Sequence, residues 1–435
     1  MKLAVVGGGS TYTPELIDGF ARLSDSLPVG ELVLIDPAAE RLETIGALAR
    51  RILARQGHPA RVTTTADVDA GVAGADAVLL QLRVGGQAAR LRDETWPLEC
   101  GCIGQETTGA GGLAKALRTV PVVLDIAERV RRTNPDAWII DFTNPVGIVT
   151  RALLRAGHKA VGLCNVAIGL QRKFARLLGC APGELHLDHV GLNHLTWELG
   201  VRRGGPGGED LLPRLLAEHA DAVAAELRLP RAVLDRLGVV PSYYLRYFYA
   251  HDEVVRELGE KPSRAAEVAA MEQELLALYE DPALDEKPQL LAKRGGAFYS
   301  EAAVDLAAAL LGSGSGGAGT GADAGGRGGP SVQVVNTLNN GTLPFLPDDA
   351  VVEVQARVDR AGPVPLAVPR PAPLYAGLIG HVAAYEDLAL DAALRGGRER
   401  VFRALLAHPL VGQIDAAEGL TDRLLAHNKE YLPWA

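Results

Sequence analysis

The sequence predicts an α/β fold: a doubly wound parallel sheet at its N-terminal end, with an α+β second domain packed against it. Three observations carry this. Short apolar runs alternate with helical stretches over the first part of the chain, which implies parallel strands joined by crossover helices. Three consecutive glycines close the first apolar run. Beyond about residue 170 the alternation gives way to long helical stretches and late strands. The predicted domains are therefore 1–170, a nucleotide-binding unit, and 171–435.

Lys2 to Val6 is an apolar run that reads as a buried strand ending at Gly7-Gly8-Gly9. Thr13-Pro14-Glu15 reads as a helix start, with Thr as cap and Pro in the first turn. Glu31 to Ile35 reads as a strand ending at Asp36, and 38–56 as a helix. Ala77 to Leu82 reads as a strand and Leu113 to Arg132 as a long helix. Ala137 to Phe142 and Ala160 to Leu163 read as further strands, each followed by a helical stretch. Glu184 to Leu199 is extended and 210–312 mostly helical. Val332 to Val354 reads as strands and the chain from Leu374 as helical. The stretch 312–330, GSGSGGAGTGADAGGRGGP, has no apolar surface to bury and reads as a flexible insertion within the second domain.

Composition narrows the function. The chain has 435 residues, 48% of them hydrophobic, enough for a large core, and a net charge of −9. An acidic chain is a poor candidate for sequence-independent nucleic-acid binding, which needs a basic face. No apolar run reaches the roughly 18–20 residues needed to span a membrane. The glycines at 7–9 interrupt any signal-peptide core, so the chain reads as unexported and cytoplasmic. Four cysteines, Cys100, Cys102, Cys164 and Cys180, do not make a disulfide scaffold at this length.

Gly7-Gly8-Gly9-Ser10-Thr11 lies between a strand and a helix, where backbone N–H groups receive a pyrophosphate. Asp36, ending the second strand, suits ribose hydroxyls and disfavours a 2′-phosphate, which points to NAD over NADP. Tyr12 stands where the third glycine of such a fingerprint would be. A tight turn without ligand accounts for the same glycines, and helix capping accounts for Asp36. Many chemistries share such a start. Cys164 follows the run Val161-Gly162-Leu163 at the carboxyl end of a strand, and His194 ends another extended stretch. A thiolate and an imidazole placed so can hold one divalent metal and leave positions open for substrate and water. A buried Cys acting as a small hydrophobe is the plainer account, and His186 and His189 compete for the metal role.

Ten motifs, in order, resemble the NAD- and metal-dependent glycoside hydrolases of family 4, within the lactate/malate dehydrogenase-like superfamily of Rossmann-type folds. They are GGGSTYTPEL (7–16), LRVGG (82–86), IGQETTG (103–109), DFTNPVG (141–147), CNVAIG (164–169), GLNHLTW (191–197), YYLRYFY (243–249), RGGAFYSE (294–301), NNGTLPFLPDDAVVE (339–353) and AYEDL (384–388). The resemblance covers nearly the whole chain and is strongest to the 6-phospho-β-glucosidase branch. Family 4 is an exception to two-carboxylate glycoside hydrolysis. The resemblance implies oxidation of the sugar at C3 by NAD+, removal of the C2 proton, loss of the aglycone from C1, addition of water and return of the hydride.

By the same resemblance a divalent ion, commonly Mn2+, is held by Cys164 and His194, although thiolate is an unusual partner for Mn2+. The C2 base maps to Tyr244, with Tyr243 as runner-up. A neutral phenol is a poor base at pH 7, so a cation must lower its pKa. Arg90 and Arg264 are the candidates for the substrate phosphate, though a solvated helix position also explains Arg90. Asn144 is assigned to the sugar, and Glu106 and Asn165 to sugar hydroxyls or the metal shell. Asn165 replaces the Asp that α-specific members tend to carry as an acid after the Cys, so the β-linked branch is preferred. Ala167 replaces a usual Pro at the next helix start. The family also implies a homodimer or homotetramer.

Three other readings compete: another branch of the family (6-phospho-α-glucosidase or unphosphorylated α-galactosidase), a 2-hydroxyacid dehydrogenase, and a non-catalytic NAD-binding regulator. The dehydrogenase reading lacks a His–Asp pair in the expected context. Neither it nor the regulator explains Cys164, His194 and Tyr244 together.

Overall fold

A computed structural model describes residues 1–296, 298–312 and 330–435. The insertion expected at 312–330 lies, except for its two end residues, outside the described residues. Alternate residues of the first strand, β1 (Lys2–Val6), face opposite sides of a sheet. Ala4 and Val6 join one core and Leu3 and Val5 the other, so a continuous apolar run is what a sheet covered on both faces requires. The next five strands are β2 (Glu31–Ile35), β3 (Arg61–Thr65), β4 (Ala77–Leu80), β5 (Trp138–Asp141) and β6 (Ala160–Gly162). They lie parallel in the order β6-β5-β4-β1-β2-β3, the doubly wound order expected. β3 escaped the sequence reading because its residues, RVTTT, carry one apolar side chain and form an edge.

The crossovers are α1 (Thr13–Arg22), α2 (Ala39–Arg55), α3 (Val68–Val72), α4 (Gly86–Thr95), α5 (Gly109–Thr133), α6 (Val146–Arg155) and α7 (Val166–Leu178). α1 starts at Thr13 itself, with Tyr12 at the cap and no side-chain acceptor for its first turn. Thr13 is therefore not the cap: its hydroxyl donates to the Gly8 carbonyl at 2.9 Å.

β7 (Leu185–Leu192) and β8 (Leu195–Arg203) form an antiparallel hairpin, flanked by β9 (Glu209–Asp210) and β10 (Val240–Pro241) in a second small sheet. Helices α8 (Leu212–Leu227), α9 (Arg231–Leu237), α10 (Arg246–Tyr249), α11 (His251–Glu260), α12 (Arg264–Tyr279), α13 (Leu290–Lys293) and α14 (Tyr299–Leu311) follow. Three late strands, β11 (Ser331–Leu338), β12 (Val351–Asp359) and β13 (Gly362–Pro365), then return to the first sheet. β11 pairs antiparallel with β6, Asn336 opposite Gly162, and extends the sheet to nine strands among the described residues. A boundary at 170 thus does not separate two sheets. β13, with two prolines that cannot donate to a ladder, ends the sheet as an edge. α15 (Pro373–Arg395), α16 (Arg398–Leu406) and α17 (Ile414–Asn428) close the core against α5.

Candidate active site

The carboxyl ends of β1, β4, β5 and β6 converge on one region. The glycine loop is drawn flat there by contacts that only glycine allows. A Cβ at Gly7, where φ is +86°, would stand 2.8 Å from the Gln81 carbonyl oxygen, and one at Gly9 equally close to the Asp36 carboxyl. The amides of Gly7 and Gly8 both donate to the Ile35 carbonyl, at 2.9 and 3.0 Å. The loop leads into the start of α1, which has no side-chain cap and whose dipole favours an anion. Asp36 accepts from the Gly9 amide (3.1 Å) through one oxygen and the Ala38 amide (3.0 Å) through the other. Each oxygen keeps a lone pair, so the carboxylate braces the loop and can still accept ribose hydroxyls. A loop that only glycine can form, a helix start and an acid at the end of β2 fit a dinucleotide.

Cys164 follows β6 and is buried at the start of α7, with Asn165 at the cap position. Burial pushes its thiol well up and Glu353 adds to this. The amides of Val166 and Asn165 and the side chain of Asn193 oppose them. α7 forms without the usual Pro, with Ala167 buried in its first turn.

His194 occupies the two-residue turn between β7 and β8, where Leu192 pairs with Leu195, and takes a left-handed φ of +62°. For a non-glycine residue this conformation is held only by its surroundings. Its Nδ1 lies 2.9 Å from Thr107 Oγ1. Burial lowers its pKa to about 4, against the raising effect of Glu353 and Glu106. The imidazole is therefore neutral, the form a metal binds.

Tyr244 stacks on His194 with ring centroids 3.5 Å apart and planes 9° from parallel. Burial, then the proximity of Cys164, pushes its phenol well above the usual range. Tyr243 points elsewhere: its hydroxyl accepts from Arg246 at 3.1 Å. The geometry thus separates two adjacent tyrosines and favours Tyr244. Among the described residues no group of three or more His, Cys, Asp and Glu could hold a metal. Cys164 and His194 would form a two-ligand site, as their chemistry suggests. The competing histidines are engaged otherwise. His189 bridges Glu198 (2.7 Å) and Glu353 (3.1 Å), and His186 faces Asp188 at 3.7 Å.

A cationic cluster borders this group. Glu106, buried, accepts from Arg83 and from Lys115 at 2.6 Å and is ion-paired with Arg90 at 3.2 Å. Its carboxylate is held by these cations beside the site, where sugar hydroxyls or the metal shell were expected as its contacts. The 105–107 loop holds it there because α5 begins with small residues: a Cβ at Gly111 would stand 2.3 Å from the Gln105 carbonyl oxygen. Burial, then Arg83, lowers the Lys115 pKa to about 7. Arg90 is largely buried and also bonds Glu94 at 2.8 Å, so it is not a solvated helix residue. Glu94 in turn accepts from the Ala265 amide at 2.7 Å, which brings the start of α12 to Arg90. Arg264 itself is exposed and turned to Glu267 and to the Lys293 and Arg294 carbonyls.

Asn144 lies in the loop after β5, before a cis peptide to Pro145, and its Oδ1 is buried without a hydrogen-bond partner. An orphaned buried acceptor is a natural place for a ligand hydroxyl. Sequence reasoning passed over Arg83, Lys115, Asn193, Arg294 and Glu353. Lys115 carried a signal, a lone cation within the apolar stretch GGLAKAL. Arg294 bonds Glu272 at 2.8 Å, and that acid also accepts from Thr11 in the glycine loop at 3.1 Å.

Comparison with known proteins agrees over nearly the full length. The family described as family 4 glycosyl hydrolase matches residues 2–180, and its C-terminal domain matches 189–411. The 6-phospho-β-glucosidase of Escherichia coli (strain K12) is 34% identical, the match covering 100% of this chain and 96% of the relative. The 6-phospho-β-glucosidase BglT of Thermotoga maritima is 32% identical over 99% of both. A solved structure of the Thermotoga maritima 6-phospho-β-glucosidase with manganese, NAD+ and glucose-6-phosphate superposes with a TM-score of 0.89 at 31% identity, covering 99% of each chain.

Proposed function

The chain belongs to family 4 of the glycosyl hydrolases, and from that membership we propose that it hydrolyses 6-phospho-β-glucosides to glucose 6-phosphate and an aglycone, with NAD+ and a divalent metal, Mn2+, as cofactors. The observation that carries this reading is the buried Tyr244–His194 stack beside Cys164, bordered by the Glu106 cation cluster.

When bound, the cofactors supply a hydride acceptor for C3 and a Lewis acid for the neighbouring sugar oxygens. The glycine loop, the start of α1 and Asp36 would hold NAD+, and Cys164 and His194 would hold the metal. Tyr244 takes the C2 proton onto its phenol oxygen. In a dry pocket the ionised phenol is costly, and Cys164 makes it costlier. Tyr244 would be favoured as phenolate, and so as a base, by a cation held at Cys164 and His194. Thr107 fixes the His194 ring, and Asn193 and Glu353 brace the thiol side. Asn144 accepts a sugar hydroxyl through its unpaired oxygen. Asn165 can bond a hydroxyl but carries no acidic proton, which favours β-linked substrates. The 6-phosphate is assigned to Arg90, with Arg264 at the rim after turning from its present carbonyl partners. No helix among the described residues is long and apolar enough to cross a membrane. A cytoplasmic homo-oligomer completes the proposal, since sugar phosphates are retained inside cells by their charge.

The test is hydrolysis of p-nitrophenyl β-D-glucoside 6-phosphate with and without NAD+ and Mn2+, beside the α-anomer and the unphosphorylated sugar. Activity that requires both additives, the 6-phosphate and the β-linkage is expected. Turnover of the unphosphorylated glucoside would cancel the roles given to Arg90 and Arg264.

A further inference from the structure

Glu272 lies outside the ten motifs, on α12, and is buried. Its carboxylate gathers donors from separate segments of the chain. Oε1 accepts from Thr11 Oγ1 in the glycine loop at 3.1 Å, from Gln87 on α4 at 3.0 Å and from Arg294, just after α13, at 2.8 Å. Oε2 accepts from Arg41 on α2 at 3.3 Å, and Arg41 Nε also donates to the Gly9 carbonyl at 2.5 Å. About two helical turns along the same face of α12, the Tyr279 hydroxyl donates to the Thr11 carbonyl at 2.8 Å. α12 thus grips Thr11 by its side chain and by its backbone. Burial opposes ionisation of Glu272, but Arg294 and Arg41 outweigh it and hold the carboxyl below its usual range.

The same cluster reaches the substrate side. Arg294 is mostly buried, and its Nε has no hydrogen-bond partner among the described residues. Burial depresses its guanidinium, and the nearby Arg83 and Arg90 add to that against Glu272. A phosphate dianion brought to Arg90 relieves this crowding of cations and fixes Arg294. Gln87 shares α4 with Arg90, and the start of α12 is bonded to Glu94, which is also the partner of Arg90.

We propose that Glu272 is a positioning residue that makes cofactor and sugar phosphate bind cooperatively, by tying the glycine loop at Thr11 and Gly9 to the cations at Arg294 and Arg90. The inference rests on the hydrolase reading and deepens it. In a buried, fully engaged network each member constrains the others. Phosphate at Arg90 orders Arg294, and through Glu272 it orders Thr11 and Arg41 at the loop. The cofactor then meets a loop already ordered and binds more tightly. By reciprocity the cofactor tightens the phosphate by the same factor.

The test measures the Kd of NADH by its fluorescence, with Mn2+ present, without and with saturating glucose 6-phosphate. C3 of that sugar already carries its hydrogen, so NADH has no ketone to reduce and binding alone is read. In the wild-type protein glucose 6-phosphate should tighten NADH by about 5–150-fold, the usual range of coupling between two sites. Glu272→Gln keeps the shape but removes the charge that holds Arg41 and Arg294, and should pull this ratio toward one. The ratio compares two affinities of one protein, so a general loss of stability does not move it. Thr11→Val removes only the hydroxyl and should lower the ratio as well, which keeps the test decisive if the Gln protein does not fold. A wild-type ratio of one or below, or the wild-type ratio retained in a folded variant, overturns the inference while leaving the hydrolase reading standing. A wild-type protein that does not hydrolyse p-nitrophenyl β-D-glucoside 6-phosphate overturns the hydrolase reading, and this inference with it.

Discussion

Tyr244 is held against His194 by a 3₁₀ turn, Tyr243–Leu245, that sends its neighbour Tyr243 toward Arg246. If Tyr244 is the base, Tyr244→Phe should lower kcat by about 10²–10⁴, the usual worth of a positioned proton acceptor. NAD+ affinity, read by fluorescence titration, should not change, because the ring and its stack remain. A Tyr243→Phe protein that loses as much activity would move the role to the neighbour. Cys164→Ser should raise the Mn2+ concentration for half-maximal activity by at least the 10–100-fold that losing a mere supporting contact to a metal ligand costs; an unchanged Mn2+ response would remove Cys164 from the ligand set. At this scale the sequence was partly legible. The residue types of Cys164, His194 and Tyr244 told of their chemistry once their motifs were placed. Which tyrosine faced the site depended on a turn that spacing does not reveal. The partners of Glu106 were hidden because Arg83, Arg90 and Lys115 come from three separate elements.

The β7–β8 hairpin places His194, and its anchor is His189. Burial alone would depress that imidazole, but Glu198 on β8 and Glu353 on β12 outweigh it and raise its pKa to about 10. One imidazolium thus ties the small sheet to the large one. Its folded value is above the unfolded 6.5, so its stabilisation is complete below about pH 6.5 and is lost as pH rises through about 10. His189→Leu leaves two buried carboxylates without their cation and should cost about 3–5 kcal/mol at pH 7. Urea unfolding at pH 7 and 9.5 checks this: the wild-type advantage should shrink at the higher pH, and a pH-independent difference would contradict the charged bridge. The late strands show where sequence reading stopped. β11 and β12 were recognisable as strands, yet β6, the partner of β11, lies far upstream, and nothing local announces that Asn336 will face Gly162.

Across the whole molecule, β11–β13 complete the sheet that carries the glycine loop, and α15–α17 cover α5. A ligand bound at the loop should therefore stabilise the chain as one unit. NAD+ at a hundred times its Kd adds about 2.7 kcal/mol, visible in calorimetry as a single transition moved up by a few degrees. A second, unmoved transition would show that residues beyond 170 fold independently. The fold class was legible because strand alternation and a glycine-closed first strand are properties of short segments. The union of early and late strands in one sheet is a property of the whole chain.

In the proposed mechanism the bond at C1 breaks only after the C2 proton has been taken by the group centred on Tyr244. Hydrolysis of a 6-phospho-β-glucoside in D2O, with NMR or mass analysis of the glucose 6-phosphate formed, tests it directly. The mechanism predicts deuterium at C2 of the product, because the abstracted proton exchanges with solvent before it is replaced. Product formed at full rate with ordinary hydrogen at C2 would contradict it and point to direct displacement at C1.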